Sequence, residues 1–195
     1  MIDKYGYSRV SNIDFNIEYI VKEHYYNLIK WVVNLTNCQS YLEIGVYTGE
    51  CIHNIRDIVK RCVAVDVSDN MPDKEKIEFN LMGSDEFFDQ NSDLFDIIFI
   101  DGDHNYEQVE KDFENSLKIL NTFGIIILHD TDPIDYGMTH IKYCSDSYKI
   151  VNYIEKNHPE LNIITLPIHE TGLSLVMRKK DRRSDEQWEK HWSKK

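Results

Sequence analysis

Two runs of residues limit the folds open to this chain. Ile97-Ile98-Phe99-Ile100 and Ile125-Ile126-Ile127-Leu128 are unbroken apolar tetrads. A strand with one wet face alternates apolar and polar residues, so an unbroken run marks a strand covered on both faces, as in a parallel sheet between helices. Between the tetrads, Val109, Phe113, Leu117 and Leu120 recur at helical spacing. Asn105 and Gln108 stand where a capping box would open that helix, and Gly124 follows its expected end. The unit reads as β-α-β, with a right-handed crossover expected.

The same pattern continues in both directions. Residues 17–36 carry Ile17, Ile20, Val21, Leu28, Ile29, Val32, Val33 and Leu35 at roughly helical spacing, which predicts an N-terminal helix. Ser40–Ile44 reads as a strand ending at Gly45, and a helix is expected from about Glu50, with Ile52, Ile55, Ile58 and Val59 on one face. Cys62–Val67 and Ile77–Met82 read as further strands. Beyond residue 138 a helix is expected with Ile141, Ile150, Val151 and Ile154 among its apolar positions. Leu161–Ile168 and Gly172–Arg178 then read as strands. The link His169-Glu170-Thr171 is too short for a crossover, so those two should pair antiparallel.

Composition narrows the function classes. The chain has 195 residues, enough for one compact domain with a full core. No apolar run approaches a membrane span, and the N-terminus lacks a signal-peptide layout, so a cytoplasmic protein is expected. Cys38, Cys51, Cys62 and Cys144 form no C-x-x-C pair, which argues for reduced thiols rather than structural zinc. The net charge is −12, yet the stretch from Arg178 onward has a basic surplus, leaving −16 on residues 1–177. So acidic a body repels a phosphate backbone, making nucleic acid an unlikely substrate. The basic tail, with Trp188 and Trp192 at i,i+4 spacing, reads as a solvated amphipathic terminus.

Each of the first five strands delivers an acid to its carboxyl end, where open α/β sheets bind ligands: Glu43, Asp66, Asp85, Asp101 and Asp130. Helix capping explains one or two such residues, but not five in register. The first turn, Glu43-Ile44-Gly45-Val46-Tyr47-Thr48-Gly49, is E-x-G-x-x-x-G and not the G-x-G-x-x-G of a dinucleotide site. A carboxylate in that turn repels pyrophosphate. It suits a cofactor with an ammonium and a sulfonium, and S-adenosylmethionine fits. Asp66 is placed to accept hydrogen bonds from ribose hydroxyls. Ser84 and Asp85 follow the third strand, where they read the adenine or simply start a helix.

The turn, together with Ile100-Asp101-Gly102-Asp103-His104-Asn105-Tyr106 and Leu128-His129-Asp130, resembles the class I S-adenosylmethionine-dependent methyltransferases. Within them it is similar to the small-molecule O-methyltransferases of the macrolide-sugar and cephalosporin-cluster type, methyltransferase domain family 24. The similarity covers roughly residues 40–178. It implies a Rossmann-like α/β fold with a seven-stranded sheet in the order 3-2-1-4-5-7-6, the last strand antiparallel, and helices on both faces. Residues 1–36 would be an N-terminal helical segment or cap, 37–180 the methyltransferase domain, and 181–195 a charged tail.

The resemblance assigns Glu43, Gly45, Gly49, Asp66, Ser84, Asp85 and Asp101 to the cofactor. Metal-dependent relatives hold a cation with the acids after strands four and five, here Asp101 and Asp130; two carboxylates with waters suit Mg²⁺. His129 and Thr131 stand where relatives often carry another acid or an amide, so the sequence names no third ligand. The histidine matching His104 is a proposed general base in sugar methyltransferases, and histidine's ordinary pKa suits that role. The implied reaction is methylation of a hydroxyl on a small molecule, for example a sugar or glycoconjugate precursor, with a homo-oligomer possible. Thr131–Gly137, with the segment before Ile17, is expected to wall the acceptor side. Two other readings remain open: a non-catalytic cofactor-binding domain of the same fold, and an RNA methyltransferase using the basic tail.

Overall fold

The computed structural model describes residues 25–168 and 170–179. Helix α1 (Tyr25–Thr36) leads into strand β1 (Ser40–Ile44), then β2 (Arg61–Asp66) and β3 (Glu78–Leu81). Helix α2 (Ser84–Gln90), strand β4 (Phe95–Ile100), helix α3 (Tyr106–Ile119) and strand β5 (Leu120–His129) follow. Helix α4 (Lys149–Asn157) and strands β6 (Leu161–Leu166) and β7 (Leu173–Arg178) complete the described fold. The strands form one sheet in the order β3-β2-β1-β4-β5-β7-β6. Strands β1 to β5 pair in parallel, and β7 runs antiparallel to both β5 and β6. This is the Rossmann-like architecture expected from the sequence.

The two apolar tetrads explain the layering. They pair in register, Ile97 opposite Ile125 through Ile100 opposite Leu128. Side chains alternate across a strand, so each tetrad divides between two cores. Ile97, Phe99, Ile125 and Ile127 pack with Ile29, Val32 and Val33 of α1 and with Ile52 and Ile55. Ile98, Ile100, Ile126 and Leu128 pack with Phe87 of α2, Val109 and Phe113 of α3, and Ile150 and Ile154 of α4.

One further acid, Asp96, works at the opposite edge of the sheet. Its carboxylate accepts from the backbone N–H groups of Gln39 and Ser40, the Ser40 hydroxyl and Asn121 Nδ2. These bonds bind together the amino-terminal ends of β1, β4 and β5.

Several local expectations fail, each for a physical reason. The stretch after Gly49 is a chain of tight turns around a 3₁₀ turn at Ile52–Asn54, not an α-helix. Its hydrogen bonds mix i−3 and i−4 spacing, and its β-branched, Asn and Asp residues have low helix propensity. Ile52 and Ile55 are still buried as expected, whereas Ile58 is exposed. Leu120 opens β5 rather than ending the helix, and Gly124 lies within that strand. The β4–β5 register shifts between Phe95 and Ile97. A Cβ at Gly124 would fall 2.8 Å from the Asp96 carbonyl oxygen, so the bulge needs glycine there.

Ile141 is 75% exposed, because residues 141–148 form turns and the helix begins only at Lys149. The capping box at α3 does not form. Asn105 occupies the N-cap position but its side chain makes no cap bond; the Tyr106 N–H donates instead to Asp146 from the turns before α4. The expected helical positions Ile17, Ile20 and Val21, the acceptor wall before Ile17, His169 and the tail with Trp188 and Trp192 lie outside the described residues. No helix among the described residues is long and apolar enough to cross a membrane.

Candidate active site

A cavity of about 1130 Å³ opens where the carboxyl ends of β1, β2, β4 and β5 converge, the position at which open α/β sheets bind ligands. Glu43, Gly45, Asp66, Ser84, Asp85, Asp101, His104 and Asp130 all line it. Gly49 does not. Its φ is +84°, and a Cβ there would meet His53 and Met71 at 2.8 Å, so it shapes the turn from behind.

The turn after β1 is threaded between the neighbouring strand ends. The Gly45 N–H donates to the Val65 carbonyl, and the Asp101 N–H donates to the Ile44 carbonyl. Gly45 has a φ of +82°, and a Cβ would lie 2.3 Å from the Asp101 carbonyl oxygen. Only glycine meets both conditions. Tyr47 also has a positive φ, +46°, an unfavourable conformation for a bulky residue that costs on the order of 1 kcal/mol. In exchange, the Val46 and Tyr47 N–H groups both donate to Asp66 Oδ2 at 2.9 Å.

Asp66 is therefore first a clasp for the turn. Its Oδ1 accepts from the Ser68 N–H and hydroxyl, at 2.8 and 2.9 Å. Partial burial raises its pKa, but the Tyr47, Ser68 and Val46 donors outweigh this and hold it below the ordinary carboxylate value. A carboxylate has about four acceptor positions; a ribose diol would reach Asp66 by displacing the Ser68 hydroxyl. Glu43 is 2% exposed and accepts from the Tyr41 hydroxyl at 2.6 Å. Burial pushes its pKa up to about 8, against hydrogen bonds from Tyr41 and Cys51. Without a cationic partner it is mostly protonated at neutral pH.

At the α3 side, Gln108 gathers a polar cluster missed in the sequence reading. Its Nε2 donates to Ser84 Oγ, Asp85 Oδ1 and Asp112 Oδ1, at 3.0 to 3.1 Å. Asp112 lines the cavity and is 1% exposed; burial raises its pKa to about 6. A signal for it was present: Asp112 shares the buried face of α3 with Val109, Phe113 and Ser116, and an acid on an apolar face calls for a reason. Ser84 is the first residue of α2 rather than its N-cap, which is Gly83.

Asp101, His104, His129 and Asp130 meet beyond β4 and β5. Asp101 Oδ1 lies 3.1 Å from His129 Nδ1, and Asp101 Oδ2 accepts from the Tyr25 hydroxyl at 3.0 Å. Asp130 Oδ1 lies 3.0 Å from the same His129 nitrogen, and Oδ2 is 3.1 Å from His104 Nδ1. Asp130 has a φ of +59°, a conformation Asp tolerates better than most residues. Burial disfavours a charged His129, but Asp101 and Asp130 prevail and raise its pKa to about 10. Asp130 is held below the ordinary value: burial opposes ionisation, while His129, Thr171 and His104 favour it.

His104 Nδ1 also faces the Tyr143 carbonyl at 2.5 Å. A carbonyl only accepts, so the nitrogen facing it, Nδ1, is the donor. Asp101, His104 and Asp130 each offer one ligand atom, all within 4.8 Å of one another. Oxygen and imidazole donors at about twice a metal–ligand distance fit a divalent cation. His129 and Tyr25 were not assigned to this centre from the sequence.

A family model described as a methyltransferase domain matches residues 42–131. An uncharacterized protein of Acanthamoeba polyphaga mimivirus is 32% identical over 114 residues, 47% of this chain and 51% of that protein. The chain thus matches about half the length of that curated relative. A Staphylococcus aureus protein assigned as a caffeoyl-CoA O-methyltransferase superposes with a TM-score of 0.67 at 18% identity, covering 84% of this chain and 88% of its own. A Bacillus cereus O-methyltransferase in complex with SAH gives 0.59 at 17% identity, covering 84% and 87%. A Streptomyces achromogenes O-methyltransferase of tomaymycin synthesis, in complex with SAM, gives 0.62 at 12% identity, covering 80% and 79%. The domain match and the shared fold together support the class read from the sequence, a class I S-adenosylmethionine-dependent methyltransferase.

Proposed function

We propose that the chain transfers a methyl group from S-adenosylmethionine to a hydroxyl of a small molecule, for example a sugar or glycoconjugate precursor. The observation that carries this reading is the single cavity wall joining Glu43, Gly45 and Asp66 to Asp101, His104 and Asp130. S-adenosylmethionine supplies the methyl on a sulfonium, and a bound Mg²⁺ or similar cation lowers the pKa of the acceptor hydroxyl.

In this reading Glu43 gives up its proton to face the cofactor's ammonium, while Gly45, Ser84 and Asp85 hold the remainder of the cofactor. Asp101 and Asp130 hold the cation. Asp130 and the Tyr143 carbonyl hold Nδ1–H of His104, so that Nε2 receives the acceptor's proton as the oxygen attacks. Fixing the oxygen in line with the sulfonium methyl is the chief contribution of such a site. Solved neighbours with SAM or SAH bound support the choice of cofactor.

Calorimetry with S-adenosylhomocysteine, with Mg²⁺ or with EDTA, tests cofactor and cation together. Binding is expected in both, with methyl transfer lost in EDTA; no heat of binding under either condition would sink the reading. His104→Ala should keep S-adenosylhomocysteine affinity and lower kcat about 10²–10⁴-fold. A second role for His104 is favoured by the spacing of its ligand atom from Asp101 and Asp130: it would be the third cation ligand. In that case His104→Ala weakens Mn²⁺ binding; as a base it leaves Mn²⁺ binding intact.

A further inference from the structure

Helix α1 contributes more than cover to the sheet. Its buried face carries Ile29, Val32 and Val33, and Tyr25 lies one turn ahead of Ile29 on the same stripe. That stripe packs on the core beneath Phe99 and Ile127, so Tyr25 reaches the carboxyl ends of β4 and β5, where it lines the cavity. Its hydroxyl donates to Asp101 Oδ2 at 3.0 Å. Its ring lies 4.3 Å from the His129 ring and 5.8 Å from Phe99, centroid to centroid. His129 thus packs against the Tyr25 ring, with Phe99 edge-on at 6.4 Å, and its Nδ1 faces Oδ1 of both Asp101 and Asp130.

We propose that Tyr25 is a positioning residue of the reaction centre: its hydroxyl and its ring together fix the Asp101 carboxylate and the His129 imidazole, and so set the Asp101–Asp130 pair for a divalent cation. The inference rests on the cation reading above. Asp101 has both oxygens engaged, one by a residue of α1 and one by a residue of β5, so its carboxylate plane is determined before any ligand arrives. Hydrogen bonds of this kind to a ligating carboxylate commonly account for 10–100-fold in metal affinity. The rotamer freedom of an unheld carboxylate would otherwise be lost on binding. Helix α1 would thereby contribute a positioning side chain to the site.

The test uses the full chain saturated with S-adenosylhomocysteine, with Mn²⁺ as probe and free Mn²⁺ read by electron paramagnetic resonance. Tyr25→Phe keeps the ring and removes the hydroxyl; Tyr25→Leu removes both. Tyr25→Phe is expected to weaken Mn²⁺ binding about tenfold with S-adenosylhomocysteine affinity and melting temperature unchanged, and Tyr25→Leu to weaken it further. Equal Mn²⁺ affinity in wild type and Tyr25→Phe overturns the proposal while leaving the cation reading intact. A parallel loss of S-adenosylhomocysteine binding in Tyr25→Phe also overturns it, because the hydroxyl would then be supporting the fold. A wild-type protein that binds S-adenosylhomocysteine but no Mn²⁺ sinks the cation reading and this inference with it.

Discussion

Glu43 shows how one side chain reconciles opposing demands. It lies fully buried within β1, accepts from Tyr41, and has its pKa raised to about 8 by burial. The consequence for stability follows from proton counting. Between the ordinary value of 4.5 and about 8 the folded chain holds a proton that the unfolded chain has released. Stability therefore falls as pH rises through that window and levels off above it. Glu43→Gln removes this term, so its melting temperature should exceed wild type at pH 8 by a few degrees, at roughly 2–4 °C per kcal/mol. The gap should close toward pH 4.5. The same variant should weaken S-adenosylhomocysteine binding about tenfold or more, by losing a charge-assisted hydrogen bond. A variant no more stable than wild type at pH 8 would show that Glu43 is not held neutral in the empty site. The E-x-G pattern placed an acid at the end of the first strand, which the structure puts inside β1 rather than in the turn. The sequence could not show that burial protonates it.

Elements join through small polar clusters as well as through the two cores. His158, the C-cap of α4, places Nε2 2.7 Å from Glu114 of α3 and Nδ1 3.0 Å from Glu160, just before β6. The Tyr153 hydroxyl donates to the same Glu114 oxygen. Burial lowers the His158 pKa, but Glu160 and Glu114 outweigh it and the net shift is upward. A protonated imidazole at a helix C-terminus is favourable in its own right. The stabilisation is complete below the ordinary histidine value and disappears as pH rises through the raised one. His158→Asn should therefore cost about 1 kcal/mol at pH 6 and much less at pH 9, measured by urea denaturation. An equal cost at both values would mean the ring acts through packing alone. At this scale the sequence was uneven. Long periodic stretches such as α3 were legible, but the tight turns after Gly49 and the strand start at Leu120 were not. There, backbone bonding and a register shift overrode a helical spacing of apolar residues.

The cavity proposed to hold the ligand is formed by several separate strand ends, so occupancy should stabilise all of them at once. S-adenosylhomocysteine at a hundred times its dissociation constant contributes about 2.7 kcal/mol, or about 5–10 °C in melting temperature for a domain of this size. No shift under saturating ligand would contradict the assignment of the cavity. The sequence by itself determined the layering and the strand directions. The unbroken tetrads require strands covered on both faces, the helix between them makes β4 and β5 parallel, and the short final link makes β6 and β7 antiparallel. Because strand ends in such a sheet share one edge, Glu43, Asp66, Asp101 and Asp130 were legible as neighbours too. Only the tertiary structure decided what each of them touches. Asp66 clasps the turn, Asp112 enters from α3, and Tyr25 and His129 close on Asp101. Some partners, such as Tyr25 for Asp101 and Val46 for Asp66, lie 76 and 20 residues away in sequence. The choice among near and distant partners depends on distances of a few tenths of an ångström that periodicity does not encode.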